Sequence, residues 1–275
     1  MALLNNADAI YFGDRPVDRV YLGARQVWPW TPALLFQNGE QGGAWDFTTA
    51  QGLFQDAAGT VPVTDPGDPI GMATDLSGNG NHMLQATVPA RPLWEGGAHF
   101  DGVDDLVAAA INLPVEPEQE ATLAISGAYE AIAEARNLSR LTVRSGNTRY
   151  LLSLRGRYQE QANYAIAERR QASDFDPVAP GAQTATGSLP PQETHSIVGW
   201  AEGTEVYVLI NDGPVVSVPY DGEFTAAPMT SVIMGTEVQS AAQVERTERR
   251  ALFIDRALTA PERNAVRAWL MEGVE

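Results

Sequence analysis

Short apolar runs separated by Gly, Pro, Asp and Asn set the rhythm of the chain from residue 33 onward. Leu34-Leu35-Phe36, Trp45-Asp46-Phe47, Ala98-His99-Phe100 and Leu106-Val107 come first. Clearer runs follow at 121–129, 141–143, 150–154, 163–167, 196–200, 206–210, 215–218, 232–234 and 251–254. Several alternate apolar and polar residues, the period of a strand with one face on a core. Asn211-Asp212-Gly213 predicts a hairpin between two of them, with Asp-Gly supplying the positive φ of a primed turn. Many short strands punctuated by turns predict an all-β fold, an antiparallel sandwich.

Three segments depart from that rhythm. Ile10-Tyr11-Phe12-Gly13-Asp14-Arg15-Pro16-Val17 is repeated ten positions on as Val20-Tyr21-Leu22-Gly23-Ala24-Arg25-Gln26-Val27. Each copy reads apolar-Tyr-apolar-Gly-x-Arg-x-Val, which predicts short strands broken at Gly and too small to stand without something to pack on. Pro29, Trp30 and Pro32 then read as a linker, so 1–32 is expected to be an attachment segment and 33–275 the sandwich, unless the arm is an edge strand of the main fold. Residues 171–192 hold four Pro and many small residues and predict a long loop. At the other end, Thr259-Ala260-Pro261-Glu262 is a capping box with Pro in the first turn, and Val266, Trp269 and Leu270 form one apolar stripe of a short C-terminal helix.

Composition narrows the function classes. The 275 residues include 35 acids against 18 basic residues, all Arg, for a net charge of −17, and contain no Cys. That field opposes binding to nucleic acid, and disulfides, thiolate metal sites and Cys nucleophiles are excluded. The N-terminus lacks a positive n-region and no apolar run reaches the roughly 20 residues of a membrane span, so a cytoplasmic product without signal peptide or membrane insertion is expected.

Several stretches resemble known proteins. Asp75-Leu76-Ser77-Gly78-Asn79-Gly80-Asn81-His82, followed by Phe100-Asp101-Gly102-Val103-Asp104-Asp105, resembles the paired signature of laminin-G-like, concanavalin A-like jelly rolls. The 206–213 stretch resembles the late hairpin of that family, and 253–259 with Glu262, Trp269 and Leu270 its closing strand and helix. The opening repeat and the 49–72 stretch are similar to segments of phage and gene-transfer-agent tail, fibre and spike proteins. Together the resemblances imply a concanavalin A-like jelly-roll sandwich in a non-enzymatic virion protein that binds host-surface carbohydrate, capsule or lipopolysaccharide. The N-terminal segment would join it to other virion proteins, with a homo-oligomer also open. The alternatives are a glycoside hydrolase or depolymerase on the same scaffold, and a ligand-free decoration protein.

Candidate chemistry lies in three places. Between residues 136 and 170 eight Arg face two acids, Glu160 and Glu168, a net +6 that leaves −23 for the rest. With Tyr158 and Tyr164, the residues Arg144, Arg149, Arg155 and Arg157 form the expected carbohydrate-binding set, because guanidinium forks pair with carboxylates and Tyr stacks on sugars. Pairing of the same Arg with acidic strands is the other reading. Asp75, Ser77 and Asn79 place oxygens at alternate positions before Gly80 as calcium loops do, but position twelve is Ala86. A calcium ion would therefore draw on Asp75, Asn79, Asp101 and Asp104, with Asp105 beside them; a tight structural loop is the competing reading. The dense acids Glu116, Glu118 and Glu120 are interrupted by Pro117 and predict a solvated loop, and no catalytic residue is expected.

Overall fold

A computed structural model describes residues 10–274 except 13–14, 18, 23–24, 115–118, 130–135, 146–148, 160–161, 171–181, 187–191, 220–227 and 236–244. Each ten-residue repeat is a hairpin of its own: β1 (Ile10–Phe12) pairs with β2 (Arg15–Val17), and β3 (Val20–Leu22) with β4 (Arg25–Trp28). A 3-10 turn at Pro32–Phe36 follows, where the apolar run predicts a strand. Pro32 stands in the first turn, and Leu34, Leu35 and Phe36 are buried.

The strands of the sandwich are β5 (Gly42–Asp46), β6 (Leu53–Phe54), β7 (Met72–Ala73), β8 (Met83–Leu84), β9 (Leu93–Trp94), β10 (Ala98–Phe100) and β11 (Leu106–Leu113). Next come β12 (Ala121–Tyr129), β13 (Arg136–Ser145), β14 (Arg149–Gln159), β15 (Ala162–Arg170) and β16 (Ala182–Thr186). The last are β17 (His195–Glu202), β18 (Glu205–Ile210), β19 (Val216–Pro219), β20 (Met229–Gly235) and β21 (Arg246–Ile254), before the helix α1 (Ala260–Met271). β16 falls inside the stretch predicted as a loop; its Ala-Gln-Thr-Ala-Thr alternation adds an edge strand to β15.

The strands form two antiparallel sheets, an all-β sandwich as expected. The first runs β19-β18-β17-β12-β21-β10-β9, with β5 on β21, and the second β16-β15-β14-β13-β20-β11-β8-β7-β6. Between them lies one apolar core, including Trp45, Phe47, Phe100, Leu123, Leu141, Leu154, Val208 and Phe253. A second core forms on the outer face of the first sheet, where Ala124, Val198, Trp200 and Leu252 meet Leu35, Phe36 and the Val266, Trp269 and Leu270 stripe of α1. This is why β12 is buried along nearly its whole length instead of on alternate residues. The capping box holds α1, with the Thr259 backbone N–H donating to Glu262 at 2.9 Å. At the 211–213 turn the positive φ belongs to Asn211, at 48°, rather than to Gly213. Its Oδ1 accepts the Ser196 backbone N–H at 2.9 Å, and that tie holds the left-handed conformation.

Candidate functional site

The chemistry gathers at one end of the sandwich. Phe100 ends β10 inside the core, and the 101–105 turn carries the chain across to β11 in the opposite sheet. The turn is fixed by its own carboxylates: Asp105 Oδ2 accepts the Asp101 backbone N–H at 2.9 Å, and Asp101 Oδ1 accepts that of Val103 at 2.8 Å. Gly235 closes against the turn with φ +108°, and a Cβ there would stand 2.6 Å from the Asp105 carbonyl oxygen. Asp101, Asp104 and Asp105 consequently bring carboxylate oxygens within 4.8 Å of one another. Asp101 is exposed and Asp105 only 4% exposed. Burial pushes the Asp105 carboxyl up to about 6, helped by the charges of Asp101 and Asp104, while the Asp101 backbone N–H and Arg246 pull the other way.

Behind the turn lies an ionic cluster buried between the sheets. Arg140 donates from Nε to Glu248 Oε1 at 2.8 Å and from its second terminal nitrogen to Glu248 Oε2, while Arg246 Nε stands 3.2 Å from Glu248 Oε1. All three side chains are almost fully buried, and the Arg246 guanidinium lies 4.4 Å over the Phe100 ring. Two β-bulges permit this. The β13–β14 register skips Arg140 between Ser139 and Leu141, and the β12–β21 register skips Arg249 between Glu248 and Arg250. Each extra residue shifts the alternation by one. Arg140 turns in beside the core residue Leu141, and Glu248 turns in although Arg250 beyond the bulge lies on the α1 side, bonded to Asp46. Gly127 leaves the necessary room, since a Cβ there would lie 2.4 Å from Glu248 Oε2.

The expected carbohydrate-binding residues divide along the second sheet. Leu106 pairs with Gly235, Met234 with Leu141, and Leu141 with Leu154. The end of the sheet reached by the 101–105 turn is therefore the end toward which β14 runs on through Arg155, Arg157 and Tyr158. There Arg157 pairs with Tyr164, and Tyr158 with Arg136 and Asn163. Arg144 and Arg149 pair with Tyr150 and Ser145 at the other end. The side chains of Arg149, Arg155, Arg157, Tyr158 and Tyr164 lie outside the described residues.

The expected calcium set divides as well. Asp75 is 7% exposed, and its carboxylate accepts from the backbone N–H groups of Ala44, Ser77 and Asn81 and from the Ser77 hydroxyl, at 2.7–3.0 Å. Asn79 Nδ2 donates to the carbonyls of Glu40 and Gly42 at 3.1 Å. These bonds tie the 75–82 loop to β5, whereas the carboxylate group that includes Asp101 and Asp104 is completed by Asp105. Glu116 and Glu118 lie outside the described residues, and Glu120 accepts the Ala257 backbone N–H. Sequence reading missed Glu248, Arg140 and Arg246, since nothing in a strand's period announces a bulge that turns a charge inward.

No family model and no curated protein matches the chain. Solved structures do. A Trypanosoma rangeli sialidase in complex with a difluorinated keto-deoxy sugar acid is similar at 14% identity and TM-score 0.54 over 86% of this chain and 33% of its own. A GH54 α-L-arabinofuranosidase soaked with a cyclic sulfate inhibitor is similar at 10% identity and TM-score 0.59 over 88% of this chain and 65% of its own. The chain thus spans about a third of the sialidase and under two thirds of the arabinofuranosidase. At these identities the likeness shows the fold alone.

It nonetheless corrects the expectation of a non-enzymatic virion spike. The similar sandwiches belong to glycoside hydrolases.

Proposed function

We propose that the chain is a glycoside-hydrolase-type sandwich acting on an anionic glycan at the end formed by the 101–105 turn. The observation that carries this reading is the convergence of Asp101, Asp104 and Asp105 within 4.8 Å, with Asp105 buried, Asp104 half-buried and Asp101 exposed. Glycoside cleavage needs one carboxyl that holds a proton near neutrality and one that stays ionised. Asp105, pushed up to about 6, suits the acid. Asp104 is the partner carboxylate left free for that role, since Asp101 Oδ1 is engaged in holding the turn through Val103. A separation under 4.8 Å is nearer the roughly 5 Å of double-displacement enzymes than the 6.5–9.5 Å or so that leaves room for a water. The anionic substrate class rests on Arg155 and Arg157, whose strand runs toward the same end of the sheet.

The test is release of reducing sugar or aglycone by purified protein from chromogenic glycosides and from acidic bacterial polysaccharides. Turnover with net retention of anomeric configuration is expected. Asp105→Asn and Asp104→Asn should each lower it at least about 100-fold, and the rate should fall as pH rises through about 6, where Asp105 loses its proton. Absence of turnover across the panel, or full activity in Asp105→Asn, would overturn the assignment.

The same three carboxylates favour a second reading, a calcium site. The two compete, because a cation needs Asp105 ionised and acid catalysis needs it protonated. Calorimetric calcium binding that Asp104→Asn abolishes, in protein lacking turnover, would decide for the cation.

A further inference from the structure

The tandem hairpins have no place in the proposed chemistry, and they are incomplete as they stand. Each has strands of three or four residues. Among the described residues no ladder joins one hairpin to the other or either to the sandwich. A two-stranded unit of that size is marginal in water, and among the described residues neither of its edges pairs with a further strand. Phe12 is 85% exposed and Tyr21 52% exposed, one in each hairpin. The root of the arm is fixed, however: Trp30 packs on the α1 core, its ring 6.4 Å from that of Trp269.

Two features say what covers this surface. The first is the repeat. Units that cannot bury an apolar face alone are stabilised by stacking on their like, which takes about three or more, and this sequence supplies two. The second is charge. Residues 1–32 hold three Asp and three Arg and are neutral, so the whole −17 resides on the body. Two bodies repel, and the arm is the part of the surface where like can meet like without that cost. We infer that the tandem hairpins are a self-association module, in which the hairpins of two or more copies of this chain pair and stack through Phe12, Tyr21 and their open edges.

Sedimentation equilibrium of the full chain tests this. The expected mass is at least twice the 29.6 kDa of one copy. Phe12→Asp with Tyr21→Asp in the full chain should return the single-copy mass while leaving the melting of the sandwich unchanged. A full chain that sediments as one copy, or a double variant that keeps the larger mass, would overturn the inference. Salt gives a readout that needs no variant. Screening relieves repulsion between bodies, so arm-mediated assemblies should hold or grow from low to about 0.5 M salt. Dissociation by salt would instead locate the contact in ion pairs of the 136–170 stretch and overturn the inference.

Discussion

At residue scale, the protein depends on a few side chains placed where their chemistry is costly. Asp105 binds its proton more tightly folded than unfolded, with its carboxyl raised from 3.8 to about 6. Its contribution is therefore complete below about pH 4 and is lost as pH rises through 6. Asp105→Asn should accordingly stabilise the fold on the order of 2 kcal/mol at pH 7 and hardly at all at pH 4, measurable as urea midpoints at the two pH values. Gly127 is constrained by space, since an added methyl would meet the Thr247 carbonyl oxygen at 2.3 Å and Glu248 at 2.4 Å. Gly127→Ala is expected to cost about 2 kcal/mol or more, read from the same midpoints. The Phe-Asp-Gly-x-Asp-Asp string was legible as a motif, but the role of Gly127 was not, because its reason is a side chain 121 positions away that only the paired bulges bring inward.

At the scale of elements, two bulged strands and one helix carry the organisation. The bulges at Arg140 and Arg249 convert two polar strand positions into an inter-sheet ion pair. Removing the carboxylate leaves the charges of Arg140 and Arg246 buried beside an uncharged amide, so Glu248→Gln should cost roughly 3–5 kcal/mol, whereas replacing the cluster together, Arg140→Met with Arg246→Met and Glu248→Leu, should recover part of that loss. Urea midpoints of the single and the triple variant check both values. Helix α1 was readable in full from its capping box and stripe. What it covers was not readable, because the outer face of the first sheet is apolar only at scattered positions such as Ala124, Val198 and Leu252. The 3-10 turn at Pro32–Phe36 shows the opposite failure: an apolar run reads as a strand, but Pro32 and burial against the outer sheet face select a tight turn.

At the scale of the whole molecule, two cores share the first sheet, one between the sheets and one beneath α1. Trp269 lies in the second and also receives Trp30 from the arm. Trp269→Ala is expected to destabilise by about 3–5 kcal/mol, lowering the melting temperature by roughly 6–20 °C in calorimetry. The sequence by itself determined the sandwich, the capped C-terminal helix and the ten-residue repeat, because hydrophobic period, turn chemistry and capping act over a few neighbouring residues. Tertiary structure alone decided where the candidate residues fall. Strand register set Arg155 and Arg157 toward the acidic turn and Arg144 and Arg149 away from it, opposed bulges turned Arg140 and Glu248 inward, and burial raised Asp105. Each of these depends on which distant strands become neighbours, and local sequence does not contain that information.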